Sequence, residues 1–317
     1  FWFASSALLV PAMLTPREEQ EMAEVLESEC AVEMDKLATL CRLGIPERLR
    51  AEAWKYLLGV TRPEKAQELS LGKLMEQRYL RLERAWQSDP QLELTRRIKA
   101  EVRGHHAAAP HLRSRQRLER LLRTYLHCHA ADYTSGMLHL LAPFEHVYRD
   151  SDTDAYFGFE GLMGQLSWAL TFEGRKQMAV ALLTLLRHLL PELYAHLEAE
   201  ERLTTGSPAG GGGWLDSWLS LLLSKELPLP CVLRLWDAYF SAPPEGSLQE
   251  LHTFVCLAVL ETCQDELLEL DGDEELPQYL QHLPAMDMGR VVTSALNMRD
   301  DCLARGLCGS GGTRGAL

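Results

Sequence analysis

Arg42-Leu43-Gly44-Ile45-Pro46-Glu47-Arg48-Leu49-Arg50-Ala51-Glu52-Ala53-Trp54, followed by Leu57-Leu58-Gly59, is the stretch that decides how this chain folds. Gly44 permits a tight backbone turn, because glycine has no Cβ to clash at positive φ. Pro46 suits the first position of a helix, where its missing N–H has no intrahelical partner to lose. Leu49, Ala53, Trp54, Leu57 and Leu58 then fall on one helical face. Gly59 stands where a left-handed C-terminal cap belongs. Periodicity alone describes a capped amphipathic helix, and further meaning has to come from residue identities.

Working outward, the rest of the chain repeats the helical period and almost nowhere alternates like a strand. Thr15-Pro16-Arg17-Glu18 is a capping box with proline at the first turn. It predicts a helix with Met22, Val25, Leu26, Cys30, Met34, Leu37 and Cys41 along one side. Further apolar stripes run through Tyr79 and Trp86, Leu118 to Tyr125, Met137 to Tyr148, Tyr156 to Leu166, and Leu182 to Leu189. Others follow at Leu215 to Leu222, Val232 to Tyr239, and Leu248 to Leu270. Each stripe is explained as core without invoking a cofactor. The fold class expected is all-α. TTGSPAGGGG at 204–213 reads as a flexible loop separating two helical lobes, and the tail from Gly306 as disordered. No repeat of fixed period is present, which disfavours a solenoid.

Composition narrows the function. The 317 residues are 46% hydrophobic and 24% charged, as in a soluble globular protein. A net charge of −13 argues against broad nucleic-acid binding, which needs a basic footprint. The eight cysteines form no C-x-x-C pair and read as buried reduced thiols of a cytosolic protein. Phe1 to Leu14 is apolar but too short to span a bilayer, and no basic region precedes it. Two readings of it stay open: the lead of a longer chain, or a helix that packs on the domain. His105, His106 and His111, and His127-Cys128-His129, lack the spacing of a closed zinc site, so no metal is expected. No phosphate-binding glycine loop and no nucleophile elbow is present, so no small-molecule active site of its own is expected. Arg113, Arg117 and Arg120 share a face of the 111–129 segment. They read first as a solvated charged face and second as a surface for an acidic protein partner or anionic lipid.

The combination of Arg42, Gly44, Ile45, Pro46, Leu49, Arg50 and Trp54 with Leu57-Leu58-Gly59 resembles the opening motif of the TBC domain of Rab GTPase-activating proteins. Tyr133-Thr134-Ser135-Gly136-Met137 is similar to that family's Tyr-Cys-Gln-Gly-Met landmark. Pro143 matches a proline in its next helix. Arg234-Leu235-Trp236-Asp237 resembles its Arg-Ile-Trp-Asp segment. The likeness covers roughly residues 40 to 300. It implies a TBC domain of two helical lobes over 40–300, after an N-terminal lead and helix at 1–39 and before a flexible tail at 301–317. It implies a regulator of membrane trafficking that binds a Rab-type small GTPase. The GTPase would supply the GTP and Mg²⁺, and membrane contact would be indirect, from the cytoplasm.

Active members of the family place an arginine and a glutamine in the nucleotide site of the GTPase. An arginine finger supplies roughly 10³–10⁵ in rate. The arginine belongs to Ile-x-x-Asp-x-x-Arg, and the similar segment here is Ile98-Lys99-Ala100-Glu101-Val102-Arg103-Gly104. Gly104 takes the arginine position, and Arg103 lies one residue early, about 100° away around a continuing helix. A helix that ended at Gly104 would relax that angle and let Arg103 serve. Ser135 takes the glutamine position and is too short to orient an attacking water; it reads as a helix N-cap. The resemblance therefore implies a GTPase-facing groove built from Ile98, Glu101, Gly104, Tyr133, Gly136 and Met137. GTPase activation there would be weak or lost. The alternatives are a catalytically silent scaffold that holds a Rab, and a helical interaction domain that no longer meets GTPases.

Overall fold

The computed structural model describes residues 15–87, 92–108, 115–129, 133–134, 136–199, 203, 213–242, 248–270 and 272–307. Phe1 to Leu14, nearly all of the glycine-rich loop at 204–213, most of the tail and Ser135 lie outside these residues.

The helices in chain order are α1 (Pro16–Leu26), α2 (Met34–Cys41), α3 (Glu47–Leu57), α4 (Glu68–Gln87), α5 (Leu92–Ala108) and α6 (Arg115–His129). They continue with α7 (Met137–Val147), α8 (Asp152–Gln165), α9 (Ser167–Leu170), α10 (Phe172–Leu189), α11 (Pro191–Ala199) and α12 (Trp214–Leu221). The last are α13 (Leu229–Phe240), α14 (Leu248–Thr262), α15 (Gln264–Glu269), α16 (Gly272–Gln281) and α17 (Met288–Ala304). Among the described residues there is no strand, and the isolated bridge found there joins Ala31 to Glu64. The all-α expectation holds.

Two helix sets share one core. Helices α4 to α8 pack on one another, while α10 meets α9, α11, α12 and α14, and α14 lies along α17. Helix α13 joins the sets, touching α2, α3 and α7 on one side and α14 and α17 on the other. An aromatic cluster fills that junction. Trp54 of α3 stands 4.9 Å from Phe240 and 5.6 Å from Phe144 between ring centroids, and Phe144 is 5.6 Å from Trp236. Offset and edge-on rings of this kind gain about 0.5–1.5 kcal/mol per pair beyond their buried area. Trp54, Trp218 and Trp236 are fully buried, as their stripes require.

Local rules explain the ends of several elements. Thr15 accepts the Glu18 N–H while Glu18 accepts the Thr15 N–H at 2.8 Å, completing the capping box. Gly59 follows α3 with φ +69, the left-handed cap its position predicted.

Three expectations need correction. The first helix does not run on to Cys41. It stops at Leu26, and 27–33 leaves the helical path, where Val32 N–H donates to Pro63 O at 2.9 Å and Lys65 N–H to Cys30 O at 3.0 Å. Cys30 is exposed there, while Cys41, Cys231, Cys256 and Cys263 are buried. Pro46 is the N-cap, at φ −57 and ψ 143, and Glu47 is the first helical residue. The stripe from Leu248 to Leu270 divides into α14 and α15 at Cys263.

Candidate functional site

The opening motif and the Trp236-Asp237 segment form one unit, although Trp54 and Asp237 are 183 residues apart in sequence. Asp237 is fully buried. Its Oδ1 accepts from Trp54 Nε1 at 2.8 Å and Arg50 Nε at 3.0 Å. Its Oδ2 accepts from the Ile45 N–H at 3.0 Å and Arg50 Nη2 at 3.1 Å. Burial pushes the carboxyl pKa up, against the pull of Arg50. All four contacts are donors, so the arrangement satisfies the ionised carboxylate. Arg234 Nη2 closes the other side on Arg42 O at 3.0 Å. The Gly44 turn, at φ +114, crosses that guanidinium so closely that a Cβ would sit 3.1 Å from Arg234 Nε. Arg42, Gly44, Ile45, Arg50, Trp54, Arg234 and Asp237 are thus a structural lock, with Pro46 capping the helix that carries Arg50 and Trp54, and the Trp236 ring tilted beside Trp54.

The second unit joins α5 to the start of α7. Ile98 and Val102 are buried and seat α5 on the core. On the neighbouring face, half-buried Glu101 receives the Gly136 N–H at 2.8 Å and the Tyr133 hydroxyl. Burial first, and Glu101 second, raise the Tyr133 pKa well above its ordinary range, so the hydroxyl stays a donor. The Arg97 guanidinium lies over the Tyr133 ring, 5.3 Å from its centroid. The sequence-predicted residues Ile98, Glu101, Tyr133, Gly136 and Met137 are therefore brought together, with Ile98 and Met137 in the core beneath.

Two details differ from expectation. Helix α5 does not end at Gly104 but continues to Ala108, so Arg103 is not released toward the 104 position. Arg103 is exposed, and its Nε donates back to Lys99 O at 3.2 Å. A Cβ at Gly104 would meet nothing within 4 Å, so a side chain there would stand in open space. The N-cap of α7 is Gly136, at φ +97, rather than Ser135. Glu101 takes up the Gly136 N–H from a different helix, which a search for local caps misses.

Sequence reasoning also missed Leu221. A Cβ on Gly136 would lie 2.8 Å from its Cδ1, so α12 presses directly on the start of α7. Leu222 and Leu223, at φ 52 and 60 and fully buried, turn the chain immediately after that contact. Left-handed leucines cost roughly 1–2 kcal/mol each. No short-range signal marks them.

Arg117, Arg120 and Arg123 of α6 are tied into the fold rather than forming a solvated face, while Arg115 at the helix start is exposed. Arg117 is buried and donates to Asp152 at 2.6 Å, Glu145 Oε1 at 3.1 Å and the Glu145 carbonyl at 3.0 Å. Arg120 pairs with Asp152 and Glu83. Burial opposes ionisation of Asp152, but the two guanidiniums hold its carboxyl below the usual range. Arg123 lies 4.1 Å above the Trp86 ring centroid. A helix that reads as basic in one dimension is tied down by acids from α4, α7 and α8. His129 of the His-Cys-His run pairs with Glu160 at 2.9 Å. His111 and Arg113, and the side chains of His105 and His106, lie outside the described residues.

These elements define an all-helical domain with a closed lock at one end of α7 and a more open junction at the other. The Rab-GTPase-TBC domain model matches residues 47–268, and the chain belongs to that family. It is 29% identical over 287 residues to human TBC1 domain family member 17, covering 83% of this chain and 42% of that protein. It is 24% identical over 294 residues to GTPase-activating protein gyp1 of Schizosaccharomyces pombe, covering 81% of this chain and 55% of that protein. The chain thus spans only about half the length of these relatives. Its fold superposes on the crystal structure of the Ypt/Rab-GAP domain of Gyp1p with a TM-score of 0.77 at 20% identity, over 90% of this chain and 98% of that one. Among the described residues no helix is long and apolar enough to cross a membrane.

Proposed function

We propose that this chain recognises a Rab-type small GTPase through the junction of α5 with the start of α7, and stimulates its GTP hydrolysis weakly or not at all. The domain doing so comprises residues 40–300. It acts from the cytoplasm, at membranes only through the GTPase, which supplies both GTP and Mg²⁺. The observation that carries the reading is at Gly104. Helix α5 passes unbroken through it, with open space where a side chain would project, and Arg103 is turned back onto Lys99 O. The position that would offer a guanidinium to a transferring phosphoryl group offers none. The nearest substitute points about 100° away on the same helix. Ser135, at the glutamine position, lacks the reach to orient a water.

Single-turnover hydrolysis across a panel of Rab proteins, run alongside binding, tests this. Binding to at least one Rab with hydrolysis near its intrinsic rate is expected. Gly104→Arg combined with Ser135→Gln should then raise the rate by roughly 10³-fold or more, the scale of an arginine finger. Strong stimulation by the unaltered protein would overturn the reading and point to Arg103, which Arg103→Ala would then abolish. Joint alteration of both finger positions supports a second reading, a silent scaffold. Measurable binding that the double substitution fails to convert into hydrolysis would select it.

A further inference from the structure

A groove of about 720 Å³ lies between α13, α14 and α17 and the turn at Arg42-Leu43. None of its lining residues comes from α5, α6 or α7, so it is separate from the GTPase-facing junction. Four guanidiniums line it, from Arg42, Arg234, Arg290 and Arg299, against two carboxylates, Asp287 and Asp300. Asp287 is engaged at a helix end, while Asp300, which is exposed, pairs with its neighbour Arg299. Asp287 Oδ1 caps α17, accepting the Gly289 N–H at 2.9 Å and the Arg290 N–H at 3.2 Å. Asp300 Oδ1 accepts both Nε and Nη2 of Arg299, at 3.1 and 2.9 Å. Arg234 Nη2 is bonded to Arg42 O, while its buried Nη1 has no hydrogen-bond partner among the described residues. Arg290 has no side-chain partner among the described residues, and Arg42 has only a long 3.4 Å contact from Nε to Ser241 O. Two guanidiniums therefore face the groove with donors to spare, in a chain whose net charge is −13.

The remaining lining mixes apolar side chains with the polar groups of Thr293, Ser294 and Asn297. Ala238, Leu251 and Val292 contribute to the floor, and Leu43 stands at the edge 48% exposed. We propose that this groove receives an acidic segment of a partner protein, anchored by an aliphatic side chain against Leu43 and Val292 and by carboxylates on Arg42 and Arg290. Charge complementarity selects the acid: a guanidinium without a partner gains most from a carboxylate, which it can hold with two parallel bonds. The shape selects a peptide over a bilayer. A concave groove of this volume can take in a side chain of a docked segment, whereas a bilayer surface meets only its rim. An anionic membrane surface would also meet the field of the whole acidic chain, whereas a single inserted segment meets mainly the local arginines.

Selection of a phage-displayed random dodecapeptide library on the whole chain tests this without assuming a partner sequence. Enrichment of peptides that combine Asp or Glu with Leu, Ile or Val is expected. A fluorescent synthetic copy of the most enriched peptide should bind at least about ten-fold more weakly to Arg290→Glu, the loss of one charge-assisted contact and its replacement by repulsion. Arg290 makes no side-chain contact that the fold needs, so this variant should melt like the parent. Leu43→Ser should weaken the same peptide, and Arg187→Glu on α10 should not. Enrichment without acidic bias, equal binding to Arg290→Glu, or no enrichment at all would overturn the proposal. So would binding of phosphatidylserine vesicles that is lost in Arg290→Glu while no acidic peptide binds.

Discussion

Asp237 and Glu101 are both acidic side chains that tie together segments distant in sequence, and their settings differ. Asp237 is fully buried, and four donors from Ile45, Arg50 and Trp54 saturate both oxygens. Glu101 is half-buried, accepts from the Tyr133 hydroxyl and the Gly136 N–H, and has exposed Lys99, Arg103 and Gly104 around it. An ion removed from water must be compensated by several well-placed donors, whereas one at the rim keeps part of its hydration. The first arrangement suits a lock that holds two helix sets together. The second holds the start of α7 in order while leaving Glu101 partly in contact with water.

The largest expected effect tests that contrast directly. Asp237→Ala strips Arg50 of its partner and orphans the Trp54 and Ile45 N–H groups, and should cost about 3–5 kcal/mol in urea unfolding. Glu101→Ala should cost about 1–2 kcal/mol, the range for a hydrogen-bonding group that water can replace. Equal losses at the two positions would break the comparison.

A second buried polar group sharpens it through pH. His252 donates from Nε2 to Trp218 O at 2.8 Å, and its Nδ1 accepts from the Tyr239 hydroxyl at 2.6 Å. Burial depresses its pKa from 6.5 to about 4. Only the unfolded chain binds that proton between these values, so its contribution to stability is lost as pH falls through the window. Glu226 is the opposite case. Burial pushes its carboxyl from 4.5 to about 7, and its Oε2 has no hydrogen-bond partner. Its contribution is full at low pH and is lost as pH rises toward the upper value. The two slopes oppose each other where they overlap. Glu226→Gln should therefore expose the histidine slope, a loss of roughly 3 kcal/mol on acidification through that window. His252→Gln should expose the reverse slope. Chemical denaturation at stepped pH measures both, and unchanged profiles in the two variants would refute the assignment.

The smallest effects separate two glycines at the same junction. Gly136→Ala forces a side chain into left-handed backbone against Leu221 and should cost about 1–3 kcal/mol. Gly104→Ala adds a methyl in open space within a helix and should gain about 0.5–1 kcal/mol. Thermal melts that shift in the same direction for both would show that the junction is not built as described.

Much of this protein is legible along the chain. The apolar stripes place Trp54, Trp218 and Trp236 in the core, the capping box starts α1, and Gly59 ends α3, because helix period and caps are properties of neighbouring residues. The residue identities at Arg42 to Trp54 and at Trp236-Asp237 pointed to the family that the comparisons then established. Other features were decided by tertiary structure. Arg117 and Arg120 read as surface charge until Glu145 and Asp152 arrive from α7 and α8. The helix expected to reach Cys41 breaks where 27–33 finds partners at Pro63 and Lys65. Glu101 caps the start of α7 from another helix, and Leu221 reaches Gly136 from α12. Local order follows from interactions within a few residues, which a sequence displays. The partner of a buried charge, or the contact that forbids a Cβ, comes from a segment that only the folded chain brings near.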